Sequence, residues 1–250
     1  MADRLRHKDV VNFANVPETV DKVTQERTFA PTAVWWEDDF TGAGRVSFST
    51  SASPGQDWLR KNTGSPTAIA GVIGGLYGQV SGALAATNEI EDTTLTWNDN
   101  LTINILTGAV FEARIKLSVL PSAAGVQAFW GMSSNYASTG PDNASYYLEF
   151  GATGNGTILM RSQDQITQNA ISTGFTTATT DFHIYRIDCT NVNDIGYYID
   201  GVQYNTPGQI KFLATGANAQ MQLTFGLYKS ASAGLCTMVN DYMRIYSNRS

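Results

Sequence analysis

Glu149 is the one carboxylate in the run from Ala144 to Ala152, ASYYLEFGA. Tyr146, Leu148 and Phe150 alternate there with Tyr147 and Glu149, a period of two that reads as a strand with two different faces. Positions two and four away on a strand share a face. A second acid at either spacing would set two carboxylates side by side, one to act as nucleophile or base and one as acid. Neither spacing carries one, and Glu112, on another alternating run, is the partner that the sequence leaves open. A lone Glu reads as a polar side chain on a sheet face, because one acid does not fill both roles. The only histidines are His7 and His183, which excludes a histidine-based metal site, and no nucleophile-elbow pattern supports Ser-His-Asp chemistry. Cys189 and Cys236 lie in strand-like runs and read as two buried thiols, not a bridge.

The elements that would position these residues are strands. Phe111, Ala113, Ile115, Leu117 and Val119 alternate with Glu112, Arg114, Lys116 and Ser118. Pro121 and Gly125 supply a turn, and Val126, Ala128, Trp130 and Met132 then share one side of a second strand. Two neighbouring strands with apolar faces make the middle of a β-sandwich. Leu95 and Trp97, then Leu101, Ile103 and Ile105, flank Asn98-Asp99-Asn100 and read as a hairpin, while 164–180 reads as a polar loop. Phe182 to Asp188 and Ile195 to Val202 form a further strand pair turning at Asp200-Gly201, whose Asp-Gly provides the positive φ of a tight turn.

Only 15% of the 250 residues are charged, and 23 are Gly, which suits many short strands joined by turns. The net charge of −6 argues against nucleic acid as a direct partner, and no run is long and apolar enough for a membrane-spanning helix. The N-terminal residues have no apolar core of the secretory kind, so the expectation is synthesis in a cytoplasm. The first 41 residues contain no Gly, and residues 1–39 hold a third of all the charges. That break divides the chain into an N-terminal arm, residues 1–36, and a domain, residues 37–250. In the arm, Arg4, Arg6 and Lys8 form a basic cluster; a short helix from Pro17 would put Val16, Val20 and Val23 on one face. These six residues are the expected interaction residues of an arm that orders against a neighbouring molecule.

Phe111 to Leu117, FEARIKL, followed by a turn and Ala128-Phe129-Trp130, resembles the central strands of the laminarinase-type glycoside hydrolases, family sixteen. Trp35 to Gly42 followed by Trp58 is similar to the opening of such a domain, and Asp241 to Tyr246, DYMRIY, resembles its closing strand. The resemblance runs from about Glu37 to Tyr246. It implies an all-β, concanavalin A-like jelly-roll β-sandwich. It also implies a catalytic strand reading E-x-D-x-x-E or E-x-D-x-E, and at that place this chain has Glu149 alone. Aromatic residues on the sheet that faces sugar in such folds are stacking candidates: Trp97, Trp130, Tyr147 and Tyr198, with Trp130, Tyr147 and Glu149 as the sugar-facing set. The resemblance adds one structural calcium site, with Asp241 and Asp39 as ligands; no other cofactor is expected.

The frame without its acids, the charged arm and the expected cytoplasmic synthesis together give a non-catalytic virion structural protein. The specific expectation is a bacteriophage capsid decoration (cement) protein, located in the virion, homo-oligomeric and in contact with other capsid proteins through the arm. A carbohydrate-binding module of a tail fibre that contacts a glycan is the alternative, and a glycoside hydrolase the second.

Overall fold

The structure, a computed structural model, describes residues 8–13, 16–21, 27–29, 33–40, 50–51, 58–72 and 78–248. The chain begins with β1 (Lys8–Phe13), β2 (Val16–Asp21), β3 (Arg27–Phe29) and β4 (Ala33–Asp38). It continues through β5 (Leu59–Thr63), β6 (Thr67–Gly71), β7 (Val80–Ala83), β8 (Glu89–Thr96) and β9 (Ile103–Asn104). The middle is β10 (Val110–Val119), β11 (Val126–Ser133), β12 (Tyr147–Thr153), β13 (Thr157–Gln163) and β14 (Gln168–Thr176). It closes with β15 (His183–Asp188), β16 (Gly196–Ile199), β17 (Val202–Gln203), β18 (Gln220–Ser232) and β19 (Thr237–Asn248).

Two antiparallel sheets face each other. The first runs β17-β16-β15-β10-β19-β7-β6, with β4 also on β19; the second runs β14-β13-β12-β11-β18-β8-β5, with β9 also on β18. The period-two pattern of β10 and β11 thus lies at the centre of each layer, as the alternation requires. Phe111, Ala113, Ile115 and Leu117 point inward from the first sheet; Ala128, Trp130 and Met132 meet them from the second. Between the layers the rings of Trp130 and Tyr185 pack edge to face at 4.7 Å, and Phe150 meets Tyr197 at 5.0 Å. Tyr197 also crosses the gap with its hydroxyl, which donates to the Arg161 carbonyl at 2.8 Å and so ties the first sheet to β13. This is the expected all-β jelly-roll sandwich.

Four local readings change. Residues Val16–Asp21 form a strand paired with β1, not a helix. Valine and threonine favour the extended chain, and Pro17 stands before the stretch Glu18 to Val20 that pairs β3, so its missing N–H breaks no bond there. The segment after Asp99 is not a hairpin partner of β8, because β8 and β9 both pair β18. Asn98 and Asp99, both at positive φ, form a jog that continues the chain along the same neighbour. The polar run 164–180 contains the edge strand β14, whose alternate residues Ile171 and Phe175 reach the core. The sandwich also takes in residues before Glu37, since β4 begins at Ala33 and pairs β19 from Asn248 to Met243.

Truncating Trp130 to Ala should cost about 3–5 kcal/mol in denaturant unfolding, because the side chain is fully buried between the sheets; a loss below about 1 kcal/mol would contradict this packing.

Candidate functional site

The alternation along β12 sends Leu148, Phe150 and Ala152 into the core and leaves Tyr147, Glu149, Gly151 and Thr153 on the outer face of the second sheet. Of the positions two and four away from Glu149, those on its C-terminal side are Gly151 and Thr153. At Gly151 the space is already used: a Cβ there would come within 2.6 Å of Arg161 Cδ. Arg161 is the cross-strand partner of Glu149 on β13.

A compact ionic cluster results. Arg161 Nη1 stands 3.1 Å from Glu149 Oε1 and donates to Gln127 Oε1 at 3.1 Å, while Nη2 pairs with Asp142 Oδ1. Gln127 Nε2 donates to the other Asp142 oxygen at 2.9 Å, closing the ring. Glu149 is 1% exposed. Burial pushes its carboxyl up to about 8 and the Arg161 guanidinium down to about 10. Tyr147, beside them, lies under the Arg161 guanidinium, which is 5.5 Å from the ring centre, and its hydroxyl accepts from Gln168 Nε2 at 3.2 Å.

The loop from Ser134 to Ala144 folds over this face. Tyr136 fixes it twice: its N–H donates to Asp99 Oδ1 at 2.9 Å and its hydroxyl donates to Asp92 Oδ2 at 2.9 Å. Gly140, at φ +112°, lies against the Tyr228 ring so closely that a Cβ would be 2.9 Å away. What remains beneath the loop is a pocket of about 20 Å³, lined by Thr94, Phe129, Ser133, Tyr136, Glu149 and Thr224, with room for a water molecule and not for a sugar ring. Burial pushes the Asp92 carboxyl up to about 6, against the hydrogen bonds from Thr94 and Tyr136.

The other expected residues are dispersed. Trp130, expected to face sugar, is a core residue: it shares the inward parity of Ala128 and Met132. Trp97 packs edge to face on Trp36 at 4.8 Å, and Tyr198 carries Arg186 4.1 Å above its ring. Glu112 is on β10 in the opposite sheet and faces away from Glu149, taking Arg244 Nη2 at 2.5 Å and the Tyr242 hydroxyl at 2.7 Å. The acid partner left open by the sequence is thus on the far side of the sandwich. Asp241 is the extra residue of a bulge in β19, between the pairs Ile115–Asn240 and Arg114–Tyr242. Its two oxygens take Arg114 Nη1 at 2.5 Å and Gln79 Nε2 at 3.2 Å, so a guanidinium occupies the place where calcium is expected. Asp39 is exposed, and Asp38 accepts from Phe40 N and Trp58 Nε1. No group of three or more metal-ligating side chains occurs among the described residues. His183 Nδ1 stands 2.7 Å from Asp200 Oδ2, at the turn that folds back onto β15. Cys189 and Cys236 are free and buried, and burial raises both thiols. Of the arm residues, Arg4, Arg6 and Val23 lie outside the described residues, while Lys8, Val16 and Val20 are on β1 and β2.

Arg161, Gln127, Asp142, Asp92 and Tyr136 are the members that sequence reasoning missed. Parity alone puts Arg161 outward, since Ile158 and Met160 point in. Its place opposite Glu149 comes from the register of β12 on β13.

No protein-family profile matches the chain, and no curated protein does. Solved structures do. A protein of unknown function from Shewanella oneidensis MR-1 is 14% identical, with a TM-score of 0.59 over 88% of this chain and 89% of that one. The catalytic domain of a Thermotoga petrophila endo-1,3-β-glucanase (laminarinase) is 14% identical, with a TM-score of 0.55 over 87% of this chain and 99% of that one. A Flavobacterium laminarinase is 16% identical, with a TM-score of 0.54 over 85% and 99%. At such identities the likeness defines the fold: a concanavalin A-like jelly roll of the laminarinase type, an architecture used by glycoside hydrolases.

Two outcomes follow from the cluster. Arg161→Met should destabilise by about 3–5 kcal/mol, because Glu149 is left buried without its counter-charge, and adding Glu149→Gln should recover part of the loss; additive losses would contradict the pairing. Asp92 has a folded-state pKa above its unfolded value, so its stabilising effect is complete in acid and disappears as pH rises through about 6. Asp92→Asn should therefore remove roughly 2 kcal/mol of the fall in stability between pH 4 and pH 7; an unchanged pH profile in chemical unfolding would contradict the assignment.

Proposed function

We propose that this chain is a non-catalytic building block, and specifically a capsid decoration protein of a bacteriophage virion, constructed on a glucanase frame. One observation carries the non-catalytic part: the carboxylate on the strand that bears the acids in the resembled family is single, buried and ion-paired to Arg161. Glycosidic cleavage needs two carboxyl groups about 5 Å apart in a retaining enzyme, or somewhat further in an inverting one, with access for the substrate. Here Gly151 and Thr153 stand at the alternate positions, a guanidinium fills the space between, and the 134–144 loop covers the face. The segment ahead of β4, with its own three strands, supports a role in assembly. It adds backbone pairing beyond the sandwich, the kind of element by which one copy holds another.

Incubation with β-1,3-glucan should release no reducing ends, and turnover lost in Glu149→Gln would overturn the reading. Deleting residues 1–32, which keeps β4 on β19, should leave a folded domain that no longer joins its particle; retained assembly would remove the arm's role. Tight and specific binding on a glycan array would instead favour an adhesin module.

A further inference from the structure

β8 and β18 are neighbours in the second sheet, and their register sets Lys229 directly opposite Glu91. Both side chains are 0% exposed, and Nζ lies 3.3 Å from Glu91 Oε1. Two opposite charges without water are costly to keep, and a reaction that removes both charges is favoured by the same burial.

The surroundings fix both reactants. Lys229 Nζ donates to the Ala85 carbonyl at 2.5 Å and to the Thr87 carbonyl at 2.6 Å, which leaves its third hydrogen for Glu91. Once that proton has passed to the carboxylate, the nitrogen lone pair faces the carboxyl group while the other two hydrogens still anchor the amine. On the acid side, the Ala85 N–H donates to Glu91 Oε2 at 2.8 Å, and the Thr87 hydroxyl donates to Oε1 at 2.5 Å. The same hydroxyl stands 3.1 Å from Glu89 Oε1, so a second carboxylate is connected to the leaving oxygen through one O–H.

We infer that Lys229 and Glu91 condense into an intramolecular isopeptide bond that clasps β8 to β18. The amine nitrogen bonds to Glu91 Cδ, and the C=O electron pair moves onto Oε2, where the Ala85 N–H stabilises it. The nitrogen then gives up a proton to Oε1, which stands beside it and is held by the Thr87 hydroxyl; the Cδ–Oε1 bond breaks and water leaves. In total, one ammonium and one carboxylate become one amide and one water, with no oxidant, reductant or activating group. The fixed geometry supplies the effective concentration that such a condensation lacks in free solution. The product retains one N–H for the Ala85 or Thr87 carbonyl.

Intact-mass measurement of the full chain decides it. The wild-type protein should weigh about 18 Da, one water, less than its sequence. Peptide mapping should recover a branched peptide joining the segments around Glu91 and Lys229. Lys229→Arg should restore its own full sequence mass. A wild-type mass equal to the sequence, or a water loss mapped to other residues, overturns the inference.

Discussion

A carboxylate withdrawn from water needs a counter-charge, and much of the second sheet's outer face is arranged to give one to Glu149. Arg161 reaches it from the neighbouring strand, and the guanidinium also pairs with Asp142 and donates to Gln127. Because Asp142 belongs to the loop over the sheet, the same ion pairing brings the loop down. Tyr136 holds its other end through Asp92 and Asp99. A face that would be a groove becomes an interior. With Gly151 and Thr153 beside Glu149 and the loop above it, this part of the face holds one carboxylate and one guanidinium in contact under cover.

The sandwich beneath does not depend on that arrangement. Its stability comes from the inward residues of β10, β11, β12 and β15, whose rings fill the space between the sheets. Outward residues on the same strands can change without disturbing them, because alternate side chains belong to different environments. This is why a hydrolase-like fold carries no implication of hydrolysis.

The fold was legible where alternation was strong. Phe111, Ala113, Ile115 and Leu117 show their inward face in the sequence, and so do Leu148 and Phe150. Trp130 was legible too: its parity with Ala128 and Met132 already placed it in the core, and the expectation of a sugar-facing ring set that parity aside. Strand β14 was hidden because only Ile171 and Phe175 reach inward among polar neighbours at a sheet edge. At the site, the absence of a second acid near Glu149 could be read directly. Its partner could not, because the contact with Arg161 depends on strand register, and the places of Asp142 and Tyr136 depend on how a loop closes. The Asp241 calcium expectation was likewise blind to the β19 bulge, which presents that carboxylate to Arg114.

The central claim is that Glu149 is sealed from solvent, and carbodiimide labelling of the native protein with an amine tests it most directly. Peptide mapping should show Glu37, which is exposed, modified and Glu149 untouched until the protein is unfolded. Modification of Glu149 at the rate of an exposed carboxylate would mean an open groove, and would contradict the account.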